Sequence, residues 1–219
     1  IRVLEKLLHR GATAGDDKTG DGAGILIQVP DAFLRKECAA LNISLPDLGR
    51  YGVAMMFMPQ DQETRQACQK IVEDTTAKTG LTFLGWRIVP CESSALGKKA
   101  KEEQPFIMQC FVSHKDLIGE AFERKLYILR KDIEHRIEEK FSIGDQFYVP
   151  SFSSSTIVYK GLMMATQVSD FYVDLKDEKL MSALAVVHQR YSTNTFPSWK
   201  LAHFFFNVTA TTEIYTLRG

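Results

Sequence analysis

Cysteine is sparse in these 219 residues, and the four that occur, Cys38, Cys68, Cys91 and Cys110, are far apart. No two form a C-x-x-C pair, so neither a zinc site nor a disulfide framework is signalled. Reduced thiols in a cytoplasmic protein are expected. Net charge is absent too, with 27 Lys plus Arg balancing 27 Asp plus Glu. That balance argues against a general nucleic-acid binder and a polybasic membrane protein. No apolar run approaches the roughly 20 residues that cross a bilayer. The opening Ile1-Arg2-Val3-Leu4-Glu5-Lys6 reads as an amphipathic helix and not as a secretory signal. The N-x-S/T matches at Asn42 and Asn207 are therefore read as chance. There is no internal repeat and no low-complexity tract.

What is present is a globular mixture, 45% hydrophobic and 25% charged. Helical spacing predicts helices over residues 3–10, 32–41, 61–80 and 116–140, with Asp31 as a cap for the second. Strands are predicted over residues 25–29, 53–58, 81–89, 105–112 and 183–187, with another in the β-favouring stretch 204–215. Residues 42–52 and 93–104 read as loops, and 147–160 as a β-hairpin with Ser153-Ser154-Ser155 at its middle. Several strands are apolar on both faces, which calls for a layer on each side.

Several tempting sites fail on chemistry. Gly15 to Gly24 is glycine-rich, but it precedes a strand, whereas a dinucleotide fingerprint follows one, and no Walker Lys-Ser/Thr pair comes after it. A tight turn with close backbone approach suits it better. His135 and Glu139 stand four apart on one helix, yet no second His or Cys lies there to complete a metal site. The methionines of 53–58 read as core filling. Ser153 lacks the G-x-S-x-G elbow, so a serine hydrolase is a weak alternative.

The richest stretch is His188-Gln189-Arg190-Tyr191-Ser192-Thr193-Asn194-Thr195, placed where a buried strand reaches an edge. Arg190 can grip a carboxylate with two parallel bonds, or it can pair with an internal acid.

Three segments together carry a resemblance. They are His9-Arg10-Gly11-Ala12 with Thr19-Gly20-Asp21-Gly22-Ala23-Gly24-Ile25-Leu26, Val158-Tyr159-Lys160-Gly161-Leu162, and the run from His188 to Thr195. The chain resembles the class II glutamine amidotransferases, in particular the glutaminase domain of glutamate synthases. The resemblance implies one domain over residues 1–219. It implies an α+β, N-terminal-nucleophile fold, a four-layer α/β/β/α sandwich with two antiparallel sheets. It implies hydrolysis of glutamine by a cysteine thiolate whose own α-amine is the base, and delivery of ammonia to 2-oxoglutarate on a synthase domain of the same polypeptide. Flavin mononucleotide and an iron–sulfur cluster are implied for that full enzyme, with none in this domain. Its electrons are implied to come through a small electron-transfer subunit or ferredoxin. No nucleic acid, membrane or metal partner is expected.

By the same resemblance Arg190 holds the glutamine α-carboxylate, and Tyr191, Ser192 and Thr193 belong to the loop over the substrate. Arg10, Gly11, Gly22 and Gly24 support the pocket. Residue one is Ile1, not cysteine, and no catalytic residue is assigned. Where the family reads A-H-N-G-E-I-N, residues 209–215 carry Ala210 for the histidine and Thr211 and Thr212 for the asparagine and glycine that serve the oxyanion; Glu213 is retained. The domain is thus expected to be incomplete at both termini, inactive alone and poorly soluble, with unpaired sheet edges. A non-catalytic glutamine- or glutamate-binding or scaffold module of the same fold is the alternative.

Overall fold

Tyr51–Met58 carries no charged residue and is buried at all eight positions, so it must be covered on both faces. The computed structural model describes residues 18–189 and 198–202 and shows what covers it. The strands are β1 (Ala23–Gln28), β2 (Tyr51–Met58), β3 (Thr82–Ile88), β4 (Phe106–Ser113), β5 (Tyr148–Ser153), β6 (Thr156–Gly161) and β7 (Ala185–Gln189). The helices are α1 (Asp31–Ala40), α2 (Gln62–Lys78), α3 (Lys98–Glu102), α4 (Gly119–Phe141) and α5 (Val168–Phe171).

One antiparallel sheet runs β3-β4-β2-β5 and a second runs β6-β1-β7. Along β2, Val53, Met55 and Phe57 face the second sheet, where Ile25, Ile27, Ile157 and Tyr159 meet them. Ala54, Met56 and Met58 point the other way, onto Cys68 and Val72 of α2 and onto Phe122, Leu126, Leu129, Ile133 and Ile137 of α4. The period-two pattern of the strand and the three-to-four spacing of α4 thus meet in one layer. The chain folds as an α+β sandwich of two antiparallel sheets, and the described residues include helix, sheet and sheet layers.

Local chemistry decided several element ends. Asp61 caps α2 by accepting from the Thr64 backbone N–H at 2.8 Å. Asp31 does not cap α1. The helix starts at Asp31 itself, whose carboxylate takes the Tyr51 hydroxyl and the Arg35 guanidinium. Helix α4 starts at Gly119, not at 116, because Gly119 has φ +56. Residues 93–104 are not wholly loop, since they hold a 3-10 turn, Ser93–Ala95, and the short α3. β2 begins two residues earlier than expected, at Tyr51. The pair β5 and β6 is not a hairpin ladder. β5 pairs with β2, and β6 with β1, so the Ser153-Ser154-Ser155 corner carries the chain from one sheet to the other. β7 is not a buried strand: Leu184, just before it, is 55% exposed and Val186 is 42% exposed, on an edge strand of the smaller sheet among the described residues.

Candidate functional site

β1 places three residues in one cross-sheet row. His188 lies opposite Gly24, and Gly24 lies opposite Lys160. A Cβ on Gly24 would come within 2.8 Å of Lys160 Cβ, 3.0 Å of His188 Cε1 and 2.7 Å of the Tyr159 carbonyl oxygen. The glycine is what lets an imidazole and a lysine stem close over the strand. Burial, then the nearby Lys160 charge, hold the His188 pKa down to about 4. The imidazole is neutral near pH 7.

Lys160, on β6 at the outer side of the smaller sheet among the described residues, is 2% exposed. Its Nζ donates to the Lys200 carbonyl at 2.8 Å and stands 4.4 Å from the Tyr148 ring centre. Burial, then the Arg130 charge, push its pKa well below the ordinary lysine value. The turn at 198–202 is held from several sides. Trp199 Nε1 donates to the Ala100 carbonyl at 3.0 Å, and the indole packs edge-on to Phe57. Lys200 Nζ pairs with Asp145 at 3.0 Å. Gly22, at φ +136, gives Ala202 room, since an added Cβ would meet the Ala202 Cβ at 3.0 Å. Gly20 has the Met163 and Met164 backbone against it, at 2.5 Å from a built Cβ. The glycine segment is a close-approach turn, as its position before a strand implied. Beyond the turn, a cleft of about 800 Å³ runs between Met58, Asp145, Trp199 and Leu201.

The family model of the class-II glutamine amidotransferases matches residues 1–219. The chain belongs to that family. Similar proteins include the glutamate synthase [NADPH] large chain of Bacillus subtilis, 45% identical over 222 residues, covering 100% of this chain and 14% of that protein. The Azospirillum brasilense large chain is 40% identical over 221 residues, with the same coverage. Ferredoxin-dependent glutamate synthase 2 of Synechocystis is 39% identical over 220 residues, again covering 100% of this chain and 14% of that protein. The chain therefore spans about a seventh of the length of these relatives.

Of the residues expected at the amidotransferase site, Gly22 and Gly24 are described, and they sit against the 198–202 turn and beneath Lys160 and His188. Arg10, Gly11, Arg190, Tyr191, Ser192, Thr193, Thr211, Thr212 and Glu213 lie outside the described residues. The strand expected over 204–215 and the helix expected over 3–10 lie outside them too.

The cysteines are all free. Burial raises the thiols of Cys38 and Cys68 to about 11 and that of Cys91 to about 12, and it raises Cys110 further. None is a thiolate at neutral pH. The Ser153 and Ser154 hydroxyls both hydrogen-bond Glu123 Oε1, at 3.1 and 2.6 Å, so the serine corner is a capped turn. Among the described residues no three His, Cys, Asp or Glu side chains group as a metal site, and no helix is long and apolar enough to cross a membrane.

Sequence reasoning quoted Lys160 and His188 inside motifs but gave neither a role. The signal for Lys160 was a lone cation in the strand run V-Y-K-G-L. A second omission is the buried ion cluster. Arg87 donates to both Asp174 oxygens, at 2.7 and 2.8 Å, to Glu37 at 2.9 Å and to Gln109 at 3.0 Å. The Tyr159 hydroxyl adds a bond to Asp174 at 3.2 Å. Burial lowers the Arg87 pKa, but Asp174 and Glu37 outweigh it, and the net shift is upward. Asp174 lies 87 residues from Arg87, so no local pattern announces the pair.

Proposed function

We propose that this segment carries the glutaminase half of a glutamate synthase. A cysteine thiolate attacks the side-chain carboxamide carbon of glutamine, the C–N bond breaks, and ammonia leaves with a proton from the general base. Water then cleaves the thioester and releases glutamate. The ammonia passes to a synthase domain of the same polypeptide and meets 2-oxoglutarate. The observation that carries this reading is similarity over the whole chain to glutamate synthases whose names specify different electron donors, NADPH in one and ferredoxin in another. What such proteins share on this segment is the glutamine side of the reaction, not the electron source.

Residue roles follow the reading. Arg190, next after β7, takes the substrate α-carboxylate with two charge-assisted bonds. Tyr191, Ser192 and Thr193 line the bound amino acid. Arg10, Gly11, Gly22 and Gly24 shape the floor, while Thr211 and Thr212 offer weaker oxyanion donors than an asparagine and a glycine. The nucleophile is none of the four cysteines, whose thiols stay protonated. Flavin mononucleotide and an iron–sulfur cluster belong to other parts of the full enzyme. The four cysteines are free and not grouped, so they do not fit cluster ligation. An electron-transfer subunit or ferredoxin docks outside this segment.

Titration calorimetry with glutamine tests the reading. The chain gives a binding isotherm and releases no ammonia, and Arg190→Ala abolishes the heat. Undiminished binding by Arg190→Ala overturns the assignment, and no heat from either protein removes it.

A further inference from the structure

A side-chain amide buried among backbone must find partners for both its ends. Gln167, 9% exposed, closes the 3-10 turn Ala165–Gln167 just before α5. Its Nε2 donates to the Lys18 carbonyl at 3.0 Å and to the Ala95 carbonyl at 2.7 Å, and its Oε1 accepts the Met164 backbone N–H at 2.7 Å. Lys18 is 149 residues away in the chain and Ala95 is 72 away, so one side chain joins three separate stretches of backbone. A carboxamide suits the task because it carries two donors and an acceptor. An ionised glutamate has no donor, a lysine has no acceptor, and a methionine has no donor and only a weak acceptor.

The same three stretches also press on one another. A Cβ on Gly20 would come within 2.5 Å of the Met163 carbonyl carbon and the Met164 nitrogen, and a Cβ on Gly97 would overlap the Thr19 nitrogen and hydroxyl. Past Gly97 the chain enters α3, where the Ala100 carbonyl accepts the Trp199 indole N–H. Ala202, at the end of that turn, lies against Gly22. These contacts brace residues 20–24, the entry to β1, and Gln167 sits where the lead-in to β1, the turn Ser93–Ala95 and its own turn converge.

We propose that Gln167 is a positioning residue for the glutamine pocket, its amide fixing the glycine turn of residues 20–24 against the rest of the fold. This rests on the reading in which Gly22 and Gly24 shape the pocket floor. Gln167 acts through the backbone and not on the substrate. With its three bonds made, the lead-in to the turn has one position. Without them it exchanges among several, and glutamine meets a floor that is formed for only a fraction of the time.

The test is glutamine affinity of the 219-residue chain by calorimetry, measured below every thermal midpoint. Gln167→Met keeps the length of the side chain and removes both donations. It should weaken binding about tenfold, the worth of those bonds expressed as a smaller competent fraction. Its thermal midpoint should fall by about 5 °C. Leu129→Ala, in the helix-side core, should lower the midpoint at least as far and leave the affinity unchanged. A merely structural Gln167 would behave as Leu129 does. Gln167→Glu keeps the acceptor for Met164 but sets a carboxylate against two carbonyls, and it should bind no better than Gln167→Met. Wild-type affinity in either Gln167 variant overturns the proposal. So does an equal loss of affinity in Leu129→Ala, which would trace the effect to stability alone. Should Gln167→Met not fold, Gln167→Asn decides. Its amide is one methylene short and should weaken binding about threefold, and unchanged affinity overturns the proposal. Normal binding by wild type and Gln167→Met alike sinks this inference only. No heat from wild type removes the reading of the site and this inference with it.

Discussion

The two sides of β2 are packed by different means. Toward the helices, Met56 and Met58 meet Met108, Cys110, Leu126 and Leu129, and the fully buried polar groups of α2 are only the hydroxyls of Thr75 and Thr76, with no buried charge on that side among the described residues. Toward the second sheet, an Arg87–Asp174 pair, Gln109 and the Tyr159 hydroxyl sit among Phe33, Phe57 and Tyr172. An apolar layer tolerates exchange of shapes at constant volume. A buried ion pair does not, since each partner is strongly disfavoured without the other. The helix-side core therefore supplies stability, and the inter-sheet core dictates which elements meet. The cluster joins α1, β3, β4, β6 and the 3-10 turn Val173–Lys176 through Glu37, Arg87, Gln109, Tyr159 and Asp174.

Asp174→Ala should break that contrast most severely. It strands Arg87 with the partly exposed Glu37 and should cost about 3–5 kcal/mol in urea unfolding. The double replacement Arg87→Met with Asp174→Leu should return most of it, and a double variant as unstable as the single one would refute the account. On the other face, Leu129→Ala should cost about 2–5 kcal/mol through its cavity, with no second-site rescue by charge.

Acid should weaken the small-sheet side. His188 holds its proton in the folded chain only near pH 4, against about 6.5 for an ordinary imidazole. Between those values the unfolded chain binds a proton that the folded chain refuses, so stability falls as pH drops through that window, by about 3 kcal/mol. His188→Gln should flatten that slope, and an unchanged slope would show that another group causes it. The smallest contrast is between two glycines. Gly24→Ala presses a methyl on the Tyr159 carbonyl and should cost about 2–3 kcal/mol. Gly52→Ala meets only the end of the Leu126 side chain, which can turn aside, and should cost about 1 kcal/mol. Equal melting temperatures for the two would remove the distinction.

What was legible in the sequence was what neighbours in the chain decide. Asp61 three residues before Thr64 announces a cap, and the apolar spacing from Phe122 to Ile137 announces one helix face. The two-sheet sandwich was reached through the resemblance, with Val53 to Met58 requiring cover on both sides. The hairpin reading of 147–160 failed because adjacency in sequence does not say which sheet a strand joins. Short α3 was hidden by the charges of Lys98 to Glu102, and Asp31 was claimed by Tyr51, a partner 20 residues away. Of the site, the glycines could be read from their place before a strand. Lys160 could not, because its meaning lies in a carbonyl 40 residues on.

Among the described residues, the strands of the larger sheet fall between residues 51 and 153, whereas the smaller sheet takes β1 from before that block and β6 and β7 from after it. During synthesis the larger sheet and its two long helices can assemble as soon as β5 leaves the ribosome. β1 must wait, with its edges open, until Thr156–Gly161 arrives. Chaperone dependence should therefore concentrate on the first strand, and a pause in translation just after the serine corner would be tolerated better than one just before it.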